Sequence, residues 1–160
     1  LDSYVSFVKT ESPEPIETII INELIGDIVK TVEKNSVELT IKEKNTIQTS
    51  GRQIQLKRAF NNIIDNSQRY AKKIEIILYT NEKDCVIEFN DDGEGIPRDK
   101  YEDVFKPFFT LDPSRNKLKG ESGLGLTITR DIIRSHGGDV KLSESKLGGL
   151  QLKVLLPLWF

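Results

Sequence analysis

Between Ile74 and Phe89 the chain alternates. Ile74, Ile76 and Leu78 stand two apart, Asn81 to Asp84 is polar and turn-forming, and Cys85, Ile87 and Phe89 stand two apart again. Successive side chains of a strand point to opposite faces, so this pattern predicts an antiparallel hairpin with one apolar face. A lone hairpin is marginal in water, and such a face has to be covered by another layer. The flanking sequence supplies the cover. From Gln53 to Ala71, Leu56, Ala59, Phe60, Ile63, Ile64 and Ala71 recur at helical spacing and predict a helix with one buried face. Leu124, Ile128, Ile132 and Ile133 mark another, ending at Gly137-Gly138.

Upstream, the β-branched run Ile16 to Ile21 reads as a strand, and Asn22 is the expected N-cap of a helix carrying Leu24, Ile25, Ile28, Val29 and Val32. Val37, Leu39 and Ile41 alternate, and Ile47 to Thr49 is expected to fold back on them as a small hairpin before Gly51. Downstream, Asp139 to Ser143 and Leu150 to Leu156 read as strands joined at Gly148-Gly149. The fold class is therefore α+β, a two-layer sandwich with about three helices covering a mixed, largely antiparallel sheet. The stretch Asp91 to Gly123 is rich in Gly, Pro and charge and is broken by Phe105-Lys106-Pro107-Phe108-Phe109. It is too long for a simple connection and reads as a flexible lid.

At 160 residues, 37% hydrophobic and 30% charged, the chain suits one globular domain with one core. Its net charge of -2 offers no general attraction for a nucleic-acid backbone or an anionic membrane, so no nucleic-acid partner is expected and any phosphate must be held locally. Cys85 is the sole cysteine; it cannot form an internal disulfide and reads as a small buried hydrophobe in a reducing compartment. No stretch approaches the roughly 20 apolar residues of a membrane span. Leu1, Tyr4, Val5 and Val8 keep helical spacing up to the polar stretch Glu11 to Pro15. Residues 1–15 thus read as a helix tail and linker, and 16–160 as the domain. A start at Leu1 without any methionine points to a processed or excised piece of a longer protein.

Three elements carry chemistry. On the helix from Gln53, Asn62, Asp65, Asn66 and Arg69 share one face. Such a face suits plain solvation about as well as function, but asparagine is a poor helix former, and two of them one turn apart can offer amide oxygens to a hard cation such as Mg²⁺. At the end of the second hairpin strand comes Asp91-Asp92-Gly93-Glu94-Gly95-Ile96-Pro97. By itself this is an acidic turn; its alternate glycines also admit a flat ligand, and Asp91 is placed to accept a hydrogen bond from an exocyclic amine. Third, Gly120-Glu121-Ser122-Gly123-Leu124-Gly125-Leu126 opens directly into a helix, whose first amides suit phosphate oxygens. Neither the dinucleotide fingerprint nor the phosphate-loop pattern is present.

In this order and spacing, the Asn-x-x-x-Asn helix, the Asp-x-Gly-x-Gly turn and the Gly-Leu-Gly helix start resemble the catalytic domain of sensor histidine kinases, in the superfamily shared with gyrase, Hsp90 and MutL ATPases. The resemblance runs from about Ile16 to Leu158. It implies ATP and Mg²⁺ as ligands on a helix-covered mixed sheet beneath a lid. By position, Asn62 and Asn66 resemble the asparagine-box metal ligands, Asn66 the more direct. Arg69 resembles the basic residue reaching the phosphates, and Tyr70 the aromatic against adenine. Asp91 resembles the adenine-reading aspartate, with Gly93, Gly95 and Ile96 forming the pocket floor. Phe105 to Phe109 resemble the family's phenylalanine box at the lid hinge, Phe105 foremost, and Gly123, Leu124 and Gly125 resemble the second glycine box. Within the lid, Arg115, Lys117 and Lys119 are cations suited to the γ-phosphate, though exposed lid cations equally serve solubility. Glu121 stands where the family commonly has the first glycine of that box.

The resemblance implies a protein-histidine kinase domain that passes the γ-phosphoryl group to a histidine on a separate dimerisation domain, within two-component signalling that ends on a response regulator receiver domain. The parent is then expected to be a membrane-anchored homodimer acting in the bacterial cytoplasm. The sole histidine, His136, falls at a helix end and reads as a packing or capping residue, so the chain alone is not expected to phosphorylate itself. Two other classes fit the same motifs: an ATP-driven conformational switch, for which Asp65 is a poorly spaced water-activating carboxylate, and a degenerate nucleotide-sensing domain.

Overall fold

A computed structural model describes residues 14–32, 37–43, 45–111 and 124–158. Strand β1 (Glu17–Ile20) leads into α1 (Ile21–Thr31), β2 (Val37–Ile41), β3 (Gln48–Gly51) and α2 (Gln53–Tyr70). The hairpin β4 (Ile74–Thr80) and β5 (Asp84–Asp91) follows, then two 3₁₀ turns at Arg98–Lys100 and Asp103–Phe105, α3 (Gly125–Ser135), β6 (Asp139–Glu144) and β7 (Leu150–Pro157).

Five strands form one sheet in the order β2-β4-β5-β7-β6, and β1 pairs with β3 in a separate ribbon. Only β2 and β4 run parallel; the other pairs are antiparallel. The register lines Ile76, Phe89, Leu152 and Leu142 across one face, with Leu78, Ile87, Val154 and Val140 in the next row. Helices α1, α2 and α3 lie on that face, and Phe60 of α2 meets Phe89 at 6.2 Å between ring centroids. Buried side chains from all three helices and the sheet make one continuous core, to which the β1–β3 ribbon adds Ile19. Each fully buried Leu, Ile or Phe contributes roughly 1.5–3 kcal/mol of transfer free energy.

Two sequence expectations fail here. Residues 37–41 and 47–49 do not form a hairpin: β2 pairs with β4 and β3 with β1. Asn22 does not cap α1, which begins one residue earlier with Ile20 as its N-cap. Asn22 Oδ1 instead accepts the Ile47 amide at 2.7 Å, so its side chain ties α1 to the approach of β3.

The helix that carries the asparagines is fixed at both ends by distant carboxylates. Its N-cap, Arg52, offers no side-chain bond; the Glu14 carboxylate accepts from the Ile54 and Gln55 amides and so meets two of the orphan donors of the first turn. Past its C-terminus, Asp92 Oδ1 accepts from the Lys72 and Lys73 amides at 2.8 and 2.9 Å. Helix α3 closes in a Schellman motif, with Gly138 N–H to Ile133 O, Gly137 N–H to Arg134 O and Gly137 at φ +82°.

Candidate nucleotide site

Asp91 ends β5 and is buried. Its Oδ1 accepts the Gly93 and Leu150 amides, both at 3.0 Å, and the Ser67 hydroxyl of α2 also bonds its carboxylate. Burial pushes its pKa above the usual aspartate value, against the pull of the Leu150 and Gly93 amides. A buried acceptor at a strand end, beneath the helix carrying the asparagines, suits an exocyclic amine.

Glycines close around it. A Cβ on Gly93 would lie 2.7 Å from the Tyr70 carbonyl oxygen, so the end of α2 and the turn after β5 touch only because residue 93 has no side chain. Gly95 takes φ +72°, and Ile96 is half-buried beside it. On α2, Asn62 and Asn66 are half-buried while Asp65 and Arg69 are exposed. The predicted polar face is thus graded, and the asparagines are the members turned toward the protein. Among the described residues, no group of three or more His, Cys, Asp or Glu is placed to hold a metal. A cation here would draw on Asn66 and Asn62 amide oxygens together with phosphate oxygens, which fits a hard divalent ion.

The segment around Phe105 is anchored to α3. Phe105 is buried, its carbonyl accepts the Thr127 hydroxyl at 2.7 Å, and the Arg130 guanidinium lies 4.2 Å from its ring centroid. Arg130 also pairs with Glu102 at 3.1 Å. Leu124 is fully buried as the N-cap of α3, and Gly125 is its first residue. With no side-chain cap on that helix, its first amides suit an anionic ligand. Gly123, Arg115, Lys117 and Lys119 lie outside the described residues, as do Gly120 to Ser122.

The structure thus brings Asp91, Gly93 and Tyr70 into contact beneath α2, lays α3 beside α2, and ties Phe105 to the start of α3. Sequence reasoning missed Ser67, Asp92, Thr127, Arg130 and Leu150, and took Gly149 only as a turn residue. None has a local signal, because each acts on a partner far along the chain.

His136 is the C-cap of α3. Its Nδ1 lies 2.7 Å from the Ile132 carbonyl, to which it donates, and its Nε2 accepts the Arg52 amide at 3.0 Å. Burial holds its pKa below the usual imidazole value. The neutral ring is a latch between the end of α3 and the start of α2, as the capping expectation required.

A mixed sheet covered on one face by helices, with a buried strand-end aspartate in a glycine-lined cradle beneath an asparagine helix, defines an α+β nucleotide-binding domain. The chain belongs to the histidine kinase-, DNA gyrase B-, and HSP90-like ATPase family, whose model matches residues 51–159. It is 31% identical over 150 residues, 92% of this chain and 30% of the relative, to the sensor histidine kinase GtrS of Pseudomonas aeruginosa. To the sensor histidine kinase CpxA of Escherichia coli K12 it is 39% identical over 105 residues, 65% of this chain and 23% of the relative. The chain therefore spans less than a third of the length of these two curated relatives. Its fold matches the mycobacterial sensor histidine kinase MprB (TM-score 0.76, 24% identity, 90% of this chain and 98% of that one). It also matches the catalytic domain of histidine kinase ThkA (TM-score 0.74, 22% identity, 89% and 97%).

Proposed function

We propose that this chain binds Mg·ATP and presents its γ-phosphoryl group to a histidine on a dimerisation domain outside residues 16–160. The observation that carries the reading is Asp91, a buried carboxylate held by backbone amides in a cradle too tight for side chains. Its acceptor reads the base amine, Tyr70 lies against the base, and Gly93, Gly95 and Ile96 form the floor. Asn66 and Asn62 hold Mg²⁺, which when bound supplies charge neutralisation at the phosphates. Arg69, with Arg115, Lys117 and Lys119 of the lid, adds cations there, and the amides from Gly123 to Gly125 receive phosphate oxygens. Phosphoryl transfer asks for positioning and charge compensation and little covalent help, which is what these groups provide.

His136 is unsuited as the acceptor. A nucleophilic imidazole needs a free nitrogen lone pair, and that of Nε2 is committed to the Arg52 amide while Nδ1 carries the proton given to Ile132. The acceptor therefore lies on another domain, and a response regulator receiver domain takes the phosphoryl group onward. Residues 1–15 serve as the connection to that dimerisation domain. The reaction belongs on the cytoplasmic side of a membrane-anchored homodimeric parent; no helix among the described residues is long and apolar enough to cross a membrane.

Titration with a fluorescent ATP analogue, with and without Mg²⁺, tests the reading. Wild type should bind more tightly with Mg²⁺, and Asn66→Ala should remove that enhancement while weak ADP binding persists. Equal enhancement in both proteins would refute the metal-ligand role.

A further inference from the structure

The two adjacent glycines between β6 and β7 are required for different reasons. Gly148 takes φ +101° with open space around it, so its need is conformational. Gly149 has no such backbone demand. A Cβ there would land on Asp91 Oδ1 and lie 2.6 Å from Gly93 N and 2.7 Å from Asp91 O. Its own amide donates to the Asp91 carbonyl at 3.1 Å, and the next amide, Leu150, donates to Asp91 Oδ1 at 3.0 Å. The turn is closed on itself by Ser145 N–H to Gly149 O at 2.8 Å, so it meets Asp91 as a rigid clip.

An aspartate carboxylate rotates about a broad, two-fold torsion and can offer either oxygen. Here the Gly93 and Leu150 amides saturate Oδ1 from two directions, and with the Ser67 hydroxyl also bonded to the carboxylate the remaining lone-pair capacity of Oδ2 is what meets a ligand. We propose that the β6–β7 turn, through the missing side chain of Gly149 and the amide of Leu150, is the positioning element that fixes Asp91 as an acceptor and so sets preference for a purine bearing an exocyclic amine over one bearing a carbonyl at that point. This rests on the reading of Asp91 as the base-reading residue. An amine donates to the fixed oxygen, whereas a carbonyl opposes it lone pair to lone pair; the discrimination requires that the carboxylate cannot swing away.

The test compares ATP and GTP affinities of wild type, Asp91→Asn, Gly149→Ala and a variant in which Leu150 is replaced by its α-hydroxy acid, an ester that deletes the donor without adding atoms. Lys146→Ala is the control: it lies in the same turn, exposed, and pairs with Glu75 at 2.7 Å. Gly149→Ala and the ester should each lower the ATP-to-GTP preference by about tenfold, the scale of one lost charge-assisted hydrogen bond. Far-UV circular dichroism should stay native, and Lys146→Ala should leave the preference unchanged. If Gly149→Ala fails to fold, the ester alone decides. A wild-type preference in the ester variant, in a protein where Asp91→Asn abolishes it, overturns the role of the turn and leaves the reading of Asp91 standing. So does an equal loss in Lys146→Ala. A wild type without ATP preference, indifferent to Asp91→Asn, overturns both.

Discussion

Asp91 sits in a contest between burial, which favours its neutral form, and the Leu150 and Gly93 amides, which favour the carboxylate; burial is the larger. Its folded pKa is therefore above the unfolded value near 3.8. The sign follows: relative stability from this group is full below the unfolded pKa and lost as pH rises through the folded one. At neutral pH the ionised Asp91 is a cost to the empty fold that a bound amine offsets. Asp91→Asn should accordingly weaken ATP binding by about tenfold or more while the melting temperature holds or rises, read by calorimetric titration beside thermal melts. Wild-type ATP affinity should also fall on acidification at a pH above the ordinary aspartate range, a dependence absent from the variant. His136 has the opposite linkage. Its folded pKa is depressed below about 6.5, chiefly by burial, with the Ile132 carbonyl and Glu14 opposing and Arg52 reinforcing the shift. The stability it contributes is present above pH 6.5 and lost as pH falls through the folded pKa, because a proton on Nε2 ejects the Arg52 amide. Denaturant melts between neutral pH and about pH 5 should show a steeper loss for wild type than for His136→Gln.

At the scale of elements, α2 carries the most. Its Phe60 packs on Phe89 of the sheet, and it also bears the half-buried Asn62 and Asn66. Phe60→Ala should cost roughly 3–5 kcal/mol in urea unfolding, the range for truncating a buried aromatic, and a loss under 1 kcal/mol would mean that α2 is not seated on the sheet as described. Legibility followed contact range. The β4–β5 hairpin and the helices could be read because their patterns are local. The pairings of β2 with β4 and of β1 with β3 could not, since α1 or α2 intervenes in each case and alternation names no partner. Asn22 looked like a cap because caps are local, but its partner is Ile47, 25 residues on. The site divided along the same line: the asparagine helix and the Asp91 turn were visible as motifs, while Leu150, 59 residues from Asp91, carries no sequence mark of its contact.

For the molecule as a whole, one core joins the ribbon, the sheet and the three helices, and the proposed function puts the acceptor histidine on another domain. Incubated alone with γ-labelled ATP, the chain should gain no acid-labile phosphate. Adding the dimerisation hairpin of its parent in trans should place label on the hairpin, slowly, because an intramolecular encounter has become bimolecular. Label on the chain itself, removed by His136→Gln, would contradict this division of labour. The sheet also contains a clock. Cys85 is the only thiol in the sequence, is fully buried on β5, and has its pKa pushed up to about 12, first by burial and then by Asp84. Neither the folded thiol nor its scarce thiolate meets an alkylating reagent, so modification has to wait until the central strands part. The rate at which this one sulfur is modified therefore reports how often the whole sheet opens, and a nucleotide that binds only the closed form should slow that rate in proportion to its occupancy.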